Sequence, residues 1–503
     1  MKPLVSMRSA LADPDLLGTL LDGESWAAWR ALLIGCVGEA LTVEERALWS
    51  ALTGRELEPG ELVEEGWFCV GRRGGKSRAA SVLAAYVGGL CDHSDVLAPG
   101  EQAVLPVLAQ DNRAAGVVLA YAVAAFERSP MLASMVTGRT GEELRLNNGV
   151  TLAVRTASWR GLRGLTAVAA IADEIAFWSS DEGSANPDAE ILAALRPALA
   201  TTGGPLWAIS SPHARRGELW ATYKRHYGPA GDSRIVVAQA ASRTMNPRLS
   251  QAVVDRAYER DAAVASAEYG GQFRVDIERL LTLEALEACI DLDVRERPPV
   301  PGVRYVSFVD PSGGSADSMT LAIAHKEGDA VVIDAVRERK PPFSPADVVA
   351  EFAAVLRSYG LRSTVSDRYG GAWVKEAFGA ANIDLRPAAK PKSALYGDVV
   401  AVVNGGRLRL IDHPRIVAQF VGLERRTARG GRDSIDHAPG QHDDLCNAVA
   451  GVAGEVLMRP VRPLGLAAPE IIRGTIDDEF DSDRDLFHNP NAGRPSNLIG
   501  TLQ

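Results

Sequence analysis

Cysteine is sparse in this 503-residue chain, and the few cysteines do not pair in sequence: Cys36, Cys69, Cys91, Cys289 and Cys446 are scattered, with no C-x-x-C among them. That spacing indicates neither a structural zinc site nor a disulfide framework, and it fits a reducing cytoplasm. Long hydrophobic runs are missing too. The apolar stretch Ala31 to Val37 is far too short to span a bilayer, Arg30 and Glu39 bracket it, and no signal peptide is seen, so no membrane partner is expected. No internal repeat is evident. Positive charge is not in excess either. A formal net charge of −10 argues against a protein that is basic all over. It leaves a local basic groove open, because net charge does not report distribution. With 46% hydrophobic and 23% charged residues the composition is ordinary for a globular protein. The length is too great for one ordinary core, so two domains with a linker or tail are expected.

The first 65 residues read as helical. "DGESWAAWRALLIG" and "TVEERALWSALTG" carry apolar residues at three- and four-residue spacing, each with an Asp or Thr near its start to cap it. Trp26, Trp29 and Trp49 fall at helical spacing and are assigned to the core. From Gly66 the pattern becomes alternating strand and helix. "GWFCV" is a strand, "SRAASVLAAYVGGL" a helix, "AVLPVLAQ" a strand and "NRAAGVVLAYAVAAFERS" a helix. "TAVAAIADE" (166–174) and "PLWAISSP" (205–212) are buried strands ending in polar residues. This rhythm indicates an α/β fold with a mainly parallel sheet, which binds ligands at the carboxyl ends of its strands. The charged, proline-rich "DVRERPPVPG" (293–302) reads as a boundary within a linker over 281–302. A second α/β region, 303–460, opens with three strand-like runs and closes on the helix pattern "HDDLCNAVAGVAGEVL". Residues 461–503 lack sustained periodicity and are rich in Pro, Asp and Asn, so a mobile tail is expected there.

The motif that carries most chemistry is "GRRGGKS", Gly71 to Ser77. A phosphate-binding loop ordinarily reads G-x-x-x-x-G-K-[ST], and Val70 stands where the first glycine belongs. The working parts are nonetheless there. Gly74 and Gly75 allow backbone N–H groups to approach a phosphate, Lys76 serves the β and γ oxygens, and Ser77 offers a hydroxyl to Mg²⁺. About a hundred residues on, the apolar strand "AVAAIADE" ends in Asp173 and Glu174. The aspartate is placed to hold Mg²⁺ through water and the glutamate to activate the attacking water. Loop and acidic strand together indicate a nucleotide site.

Three features of this half resemble the ATPase domain of the large terminase subunit of tailed bacteriophages. They are the displaced first glycine with Arg72 in R-x-x-G-K-S, the strand ending in Asp-Glu, and the later strand ending in Ser210-Ser211-Pro212. The resemblance implies that Arg72, Lys76 and Ser77 hold the triphosphate and its Mg²⁺, with Asp173 assisting the metal and Glu174 as catalytic base. It further implies that Ser210 and Ser211 relay hydrolysis to movement. The loop "SWRGLRG" (158–164) lies where the family contributes an arginine finger, often to a neighbouring subunit; Arg163 is the first choice and Arg160 the substitute.

The second region has its own acidic constellation. Asp310 ends the apolar strand of "VSFVDPSGG", Asp367 that of "STVSDRYGG", and Asp443-Asp444 open the last helix. Two-metal phosphodiester cleavage needs carboxylates converging on ions about 4 Å apart. Asp444 is the favoured third ligand, with Asp443 a close second. Asp317 and Asp334 could substitute, although their turn and strand positions read as structural. Arg425, Arg426, Arg429 and Arg432 lie in a glycine-containing hairpin just before these acids, placed to neutralise phosphates. His437 and His442 are unassigned.

The order of two strand aspartates followed by "HDD" before a helix resembles the RNase H-like nuclease domain that forms the second half of large terminases. The two resemblances together run from the glycine-rich loop to about Leu457. They imply a P-loop NTPase domain (1–65 helical part, 66–280 core and lid) joined to an RNase H-like α/β nuclease domain. The implied cofactors are ATP with Mg²⁺ and two Mg²⁺ or Mn²⁺ ions in the nuclease site. The implied function is packaging of double-stranded DNA and cutting of concatemers. The partners would be a small terminase subunit, the portal and the procapsid, in a homo-oligomeric ring that need not persist in solution. The place would be the host cytoplasm at the procapsid portal, where the acidic tail offers a docking segment. Two rivals are a P-loop translocase or helicase whose second domain binds nucleic acid without cutting it, and a resolvase- or transposase-like nuclease with a regulatory first half.

Overall fold

The helical start forms as its pattern requires, with one difference at a cap. In the computed structural model, α1 (Ala27–Cys36) is apolar nearly all round and buried accordingly. It is entered through a single 3₁₀ turn, Glu24–Trp26, and no side chain caps it, so Asp22 does not play the part expected. Helix α2 (Val43–Thr53) has a full capping box: Thr42 accepts from the Glu45 N–H while Glu45 accepts from the Thr42 N–H. It stops at Gly54, whose φ of 69° lies in the left-handed region. Trp29 and Trp49 are fully buried, whereas Trp26 is only partly so. The structure describes residues 2–459 except 99, 111, 159–160, 179–186, 316, 368–371, 428–432 and 438–440. Residues 461–503, where a tail was expected, lie outside the described residues.

The first α/β part is built on an eight-stranded sheet. Its strands are β1 (Glu65–Val70), β2 (Ala103–Ala109), β3 (Val136–Arg139), β4 (Glu143–Leu146), β5 (Val150–Thr156), β6 (Ala170–Asp173), β7 (Leu206–Ser210) and β8 (Ile235–Ala240). The order is β8-β1-β7-β6-β2-β5-β4-β3. All pairs from β8 to β5 are parallel, and the β5-β4-β3 edge is antiparallel. Helices α3 (Lys76–Leu90) and α4 (Asn112–Arg128) cover one face, as parallel strands buried on both sides demand. Phe68 lies between Trp29, edge-on at 5.6 Å, and Trp207, stacked at 6.2 Å, which joins the helical start to the sheet.

Strand β6 is shorter than the expected run from Thr166. The Ala167 N–H donates to the Ala198 carbonyl and its own carbonyl accepts from the Thr202 hydroxyl, so this residue is bound to the end of the helix Pro187–Ala200 and the turn after it, and meets β2 only in an isolated bridge to Val104. At the other end Glu174 turns out of the strand at φ 50°.

The second part carries a seven-stranded sheet. A meander of β11 (Tyr305–Asp310), β12 (Met319–Glu327) and β13 (Ala330–Arg339) is antiparallel. On one side β14 (Ser363–Ser366) and β15 (Asp384–Pro387) add in parallel, and on the other β16 (Leu408–Ile411). A two-residue strand β10 (Ile290–Asp291) joins β16, so residues 281–302 are attached to this sheet by backbone pairing. The Tyr359 hydroxyl donates to the Arg297 carbonyl at 2.6 Å, which ties the proline-rich stretch down further.

Helix α8 (Asp444–Met458) packs on the sheet through small residues. At Gly451 the Phe308 ring leaves no room for a Cβ. Helices α5 (Pro345–Ser358) and α6 (Ala372–Ala380) pack on each other, and α7 (Lys392–Asn404) packs against α8. A third, three-stranded sheet joins β9 (Ile277–Arg279) to the hairpin of β17 (Leu423–Thr427) and β18 (Asp433–His437), the hairpin that the glycine-containing basic stretch predicted.

Candidate functional site

The glycine-rich loop leaves the end of β1 and enters α3, with β7 and β6 as the next two strands of the sheet. Cys69 pairs with Ser210, and Ile209 with Asp173, so the loop, Ser210-Ser211 and Asp173-Glu174 emerge side by side at one edge. The missing first glycine has a local reason. Val70 is still strand, fully buried, and its side chain packs against Gly74, so the turn begins one residue later at Gly71. Gly75 has φ 88°, and a Cβ on Gly74 would fall 2.5 Å from Val70 Cγ1 and 2.9 Å from the Gly71 carbonyl oxygen. Both positions therefore need glycine, one for conformation and one for space.

Lys76 is buried at the N-terminus of α3 and is held in place without a ligand. Its Nζ donates to the Val70 carbonyl at 2.9 Å and to Ser211 Oγ at 2.8 Å, and it stands 3.3 Å from Glu174 Oε1. Glu174 Oε2 accepts from the Ser211 N–H at 3.0 Å and the Ser210 hydroxyl at 3.3 Å. The two serines singled out from sequence thus bind the acid and the lysine directly. Glu174 is one of four described non-glycine residues at positive φ. That costly conformation is retained where surrounding contacts fix it, and here it turns the carboxylate toward Lys76.

Asp173 is 4% exposed, and burial, reinforced by the Glu174 charge and opposed by Lys76, pushes its carboxyl up to about 7. Its Oδ1 is buried without a hydrogen-bond partner, as expected of an oxygen whose partner is a cation or its bound water. With Ser77 at the second residue of α3, the donor set fits Mg²⁺.

Other residues of the loop meet neighbours from elsewhere in the chain. Arg72 points to Glu268, with Nε 3.4 Å from Oε1, so its guanidinium pairs with an acid of the chain itself. The loop backbone is held by side chains that no motif announced. Trp29 Nε1 donates to the Gly74 carbonyl at 2.7 Å, the Ser242 hydroxyl to the Arg72 carbonyl at 2.6 Å, and Asn246 Nδ2 to the Arg73 carbonyl at 2.9 Å. Arg163 is exposed and lines a cleft with Leu162, Glu190, Ala194 and Pro197; Arg160 lies outside the described residues.

The second constellation is built at the edge of the other sheet. Asp310 ends β11, and because Val309 pairs with Ser366 in parallel register, Asp367 follows on the adjacent strand. Asp444 is the first residue of α8, anchored by the Ser318 N–H to its Oδ2 at 3.1 Å and by the Thr320 hydroxyl to its carbonyl at 2.7 Å. Burial pushes the Asp310 carboxyl up to about 8; the Asn447 amide, donating to Oδ2 at 2.8 Å, opposes this, and the charges of Asp444 and Asp443 add to it. Asp444 is raised as well, by burial first and then by Asp443 and Asp317. Asn447 Oδ1 is left buried and unpartnered. Crowded carboxyls that resist ionisation, beside an orphaned carbonyl oxygen, suit divalent cations.

The two adjacent aspartates have different surroundings. Asp443 Oδ2 receives the Tyr396 hydroxyl at 2.7 Å and stands 2.6 Å from Lys392 Nζ. Together with Asp436 and His437 on the hairpin, Asp443 forms a group whose donor atoms lie within 4.8 Å of one another. His437, left unassigned, therefore belongs to the surroundings of this site, and so does Lys392, which no spacing pointed to. His442 approaches Asp317 at 3.7 Å. Asp334 is structural, buried against His325 at 2.8 Å.

The hairpin arginines divide. Arg426 pairs with Glu424 at 3.0 Å; Arg425 is exposed, and Arg429 and Arg432 lie outside the described residues. Glu424 itself is fully buried, 2.7 Å from Arg216 and 3.4 Å from His213. Burial alone would raise its carboxyl, but these partners outweigh it and hold it at about 2. The contact ties the chain that follows Ser211 to the hairpin.

No protein-family model matches the chain, and no curated protein matches it. Among solved structures it is similar to the large terminase of bacteriophage HK97, at 16% identity over 86% of this chain and all of that one, with a TM-score of 0.35. It is also similar to the ATPase domain of the Thermus phage P74-26 large terminase, at 18% identity over 42% of this chain and 89% of that one, TM-score 0.34. A third is the large terminase nuclease of thermophilic phage G20c with bound magnesium, at 18% identity over 34% of this chain and 96% of that one, TM-score 0.31. Among the described residues no helix is long and apolar enough to cross a membrane.

Proposed function

We propose that this chain is the large terminase subunit of a bacteriophage DNA-packaging motor, which hydrolyses ATP to move double-stranded DNA and cuts that DNA at a second, carboxylate site. The observation that carries the reading is the pairing of Lys76 with Glu174 and Ser211 at three neighbouring strand ends, in a chain that also gathers Asp310, Asp443 and Asp444.

At the first site, the loop amides and Lys76 bind the β and γ phosphates of ATP. An arriving γ-phosphate competes for the Lys76 ammonium, which now serves Glu174 and Ser211. Released from Lys76, Glu174 is free to accept a proton from the attacking water. Ser210 and Ser211 hydrogen-bond the same carboxylate, so its movement is passed to the chain that follows them. Ser77 and Asp173 would hold Mg²⁺, which neutralises phosphate charge.

At the second site, Asp310, Asp367 and Asp444 would hold two Mg²⁺ or Mn²⁺ ions, which activate water and stabilise the leaving oxygen when bound. Asn447 orients Asp310, and Ser318 and Thr320 fix Asp444. The partners proposed are a small terminase subunit, the portal and the procapsid, with several copies in a ring in the host cytoplasm. Arg163 is proposed as the residue offered to a neighbouring copy's ATP site. Residues 66–280 and 303–460 are proposed as the two functional domains.

Plasmid cleavage with Mg²⁺ or Mn²⁺ and DNA-stimulated ATP hydrolysis, measured on wild type, Lys76→Ala and Asp310→Ala, test this. Lys76→Ala should abolish hydrolysis and spare cutting, and Asp310→Ala should do the reverse. Hydrolysis without cutting would instead identify a translocase with a non-cleaving second domain.

A further inference from the structure

Lys392 has the features of a working cation rather than of a packing residue. It is the first residue of α7, following Pro391, a helix end at which the backbone dipole disfavours positive charge. Its position is accounted for by acids on other elements. Nζ lies 2.6 Å from Asp443 Oδ2 on the α8 start and 3.5 Å from Asp436 Oδ1 on the hairpin. Tyr396, one turn further along α7 and fully buried, donates to the same Asp443 oxygen. The carboxylate is thereby sealed, with 6% of its side chain exposed, whereas Lys392 keeps 30% exposed. The acid is beneath and the ammonium is at the mouth. Asp310 lies close enough for its charge and that of Lys392 to act on each other.

Lys390 and Arg426 are likewise paired with acids, Asp398 at 2.6 Å and Glu424 at 3.0 Å, but with none of Asp310, Asp443 and Asp444, whereas the partner of Lys392 is Asp443 itself. A phosphodiester approaching Asp310, Asp443 and Asp444 meets concentrated negative charge, and it gains more charge of its own as cleavage proceeds. A fixed ammonium at the rim opposes both effects without having to reorganise.

We propose that Lys392 is a phosphate-contacting residue of the cleavage site, an ammonium that Asp443 and Tyr396 hold in place to meet a non-bridging oxygen of the nucleic-acid backbone. The inference rests on reading the carboxylate site as a nuclease. Two alternatives make different predictions. If Lys392 merely fills the place of a cation among Asp436, His437 and Asp443, removing it frees a metal site. If it is only a prop for α7, a shape-preserving replacement should restore function irrespective of charge.

The test uses the full chain. Initial rates of plasmid cutting are measured against Mn²⁺ concentration for wild type, Lys392→Met and Lys392→Arg. Duplex binding in Ca²⁺ is measured against salt for Asp310→Asn with and without Lys392→Met. Lys392→Met should lower the rate at saturating Mn²⁺ by about 10- to 100-fold, with the Mn²⁺ midpoint little moved, and Lys392→Arg should recover most of it. The slope of log affinity against log salt should shrink by about one phosphate contact. A lower Mn²⁺ midpoint with the saturating rate intact would overturn the proposal in favour of the placeholder. Rescue by Met but not Arg, or an unchanged salt slope, would overturn it in favour of the prop. Wild type that neither cuts nor binds duplex would remove the nuclease reading and this proposal with it. Wild type that cuts no faster than Lys392→Met would remove this proposal alone.

Discussion

Replacing Asp310 by Asn should make the metal-free protein more stable, by an amount that grows with pH. The carboxyl is buried and shares its surroundings with Asp443 and Asp444, which together push it from 3.8 to about 8. A carboxyl raised in this way contributes its full stability below its unfolded value. That contribution is lost as pH rises through the folded value, because the unfolded chain releases the proton first. The gap of roughly four pH units, at about 1.4 kcal/mol each, amounts to about 5 kcal/mol between pH 4 and pH 8. Asn has the same shape and no charge to bury, so Asp310→Asn should lack this dependence. Thermal melting in EDTA from pH 4 to pH 8 is the assay: the two proteins should converge near pH 4 and separate by about 1.4 kcal/mol per pH unit above it. Saturating Mn²⁺ should close the gap from the wild-type side only, since metal favours the ionised carboxylate. Parallel melting profiles, or a variant less stable than wild type at pH 7.5, would refute the claim that this carboxyl is held in a strained, metal-ready state.

Three further outcomes are expected. Glu424→Gln removes the charge that compensates Arg216 and Arg426, and should cost about 3–5 kcal/mol in denaturant titrations; the double change Glu424→Met with Arg216→Met should recover much of this, and a loss under 1 kcal/mol would show the pair to be dispensable. Because Glu424 is held at about 2, its contribution should be present at neutral pH and should fade as pH falls below about 4.5. Gly74→Ala, whose Cβ would meet Val70 Cγ1 at 2.5 Å, should weaken ADP binding in calorimetry at least tenfold, roughly 1.4 kcal/mol, whereas Gly141→Ala, with open space at its Cβ, should leave it unchanged. Thr42→Ala should lose the α2 capping box and about 1 kcal/mol of stability, with ATP hydrolysis unaffected.

Features governed by local chemistry were legible along the chain. Helical periodicity defined α2, α3, α4 and α8 to within a residue or two, and located α1 while misplacing its start. The strand-loop-helix at Gly71 to Ser77 was legible because phosphate loops depend on neighbouring backbone and glycine geometry. Acids at strand ends marked Asp173, Glu174, Asp310 and Asp367, since a parallel sheet exposes those ends. Only the tertiary structure decided which charges meet. The sheet order brings Ser211 to Lys76 across 135 residues, and helix packing brings Lys392 to Asp443. The fold also sets Arg72 beside Glu268 and Arg426 beside Glu424, neighbours that no spacing announced. A charged side chain selects its partner by distance and burial, and neither quantity exists until strands distant in sequence lie side by side.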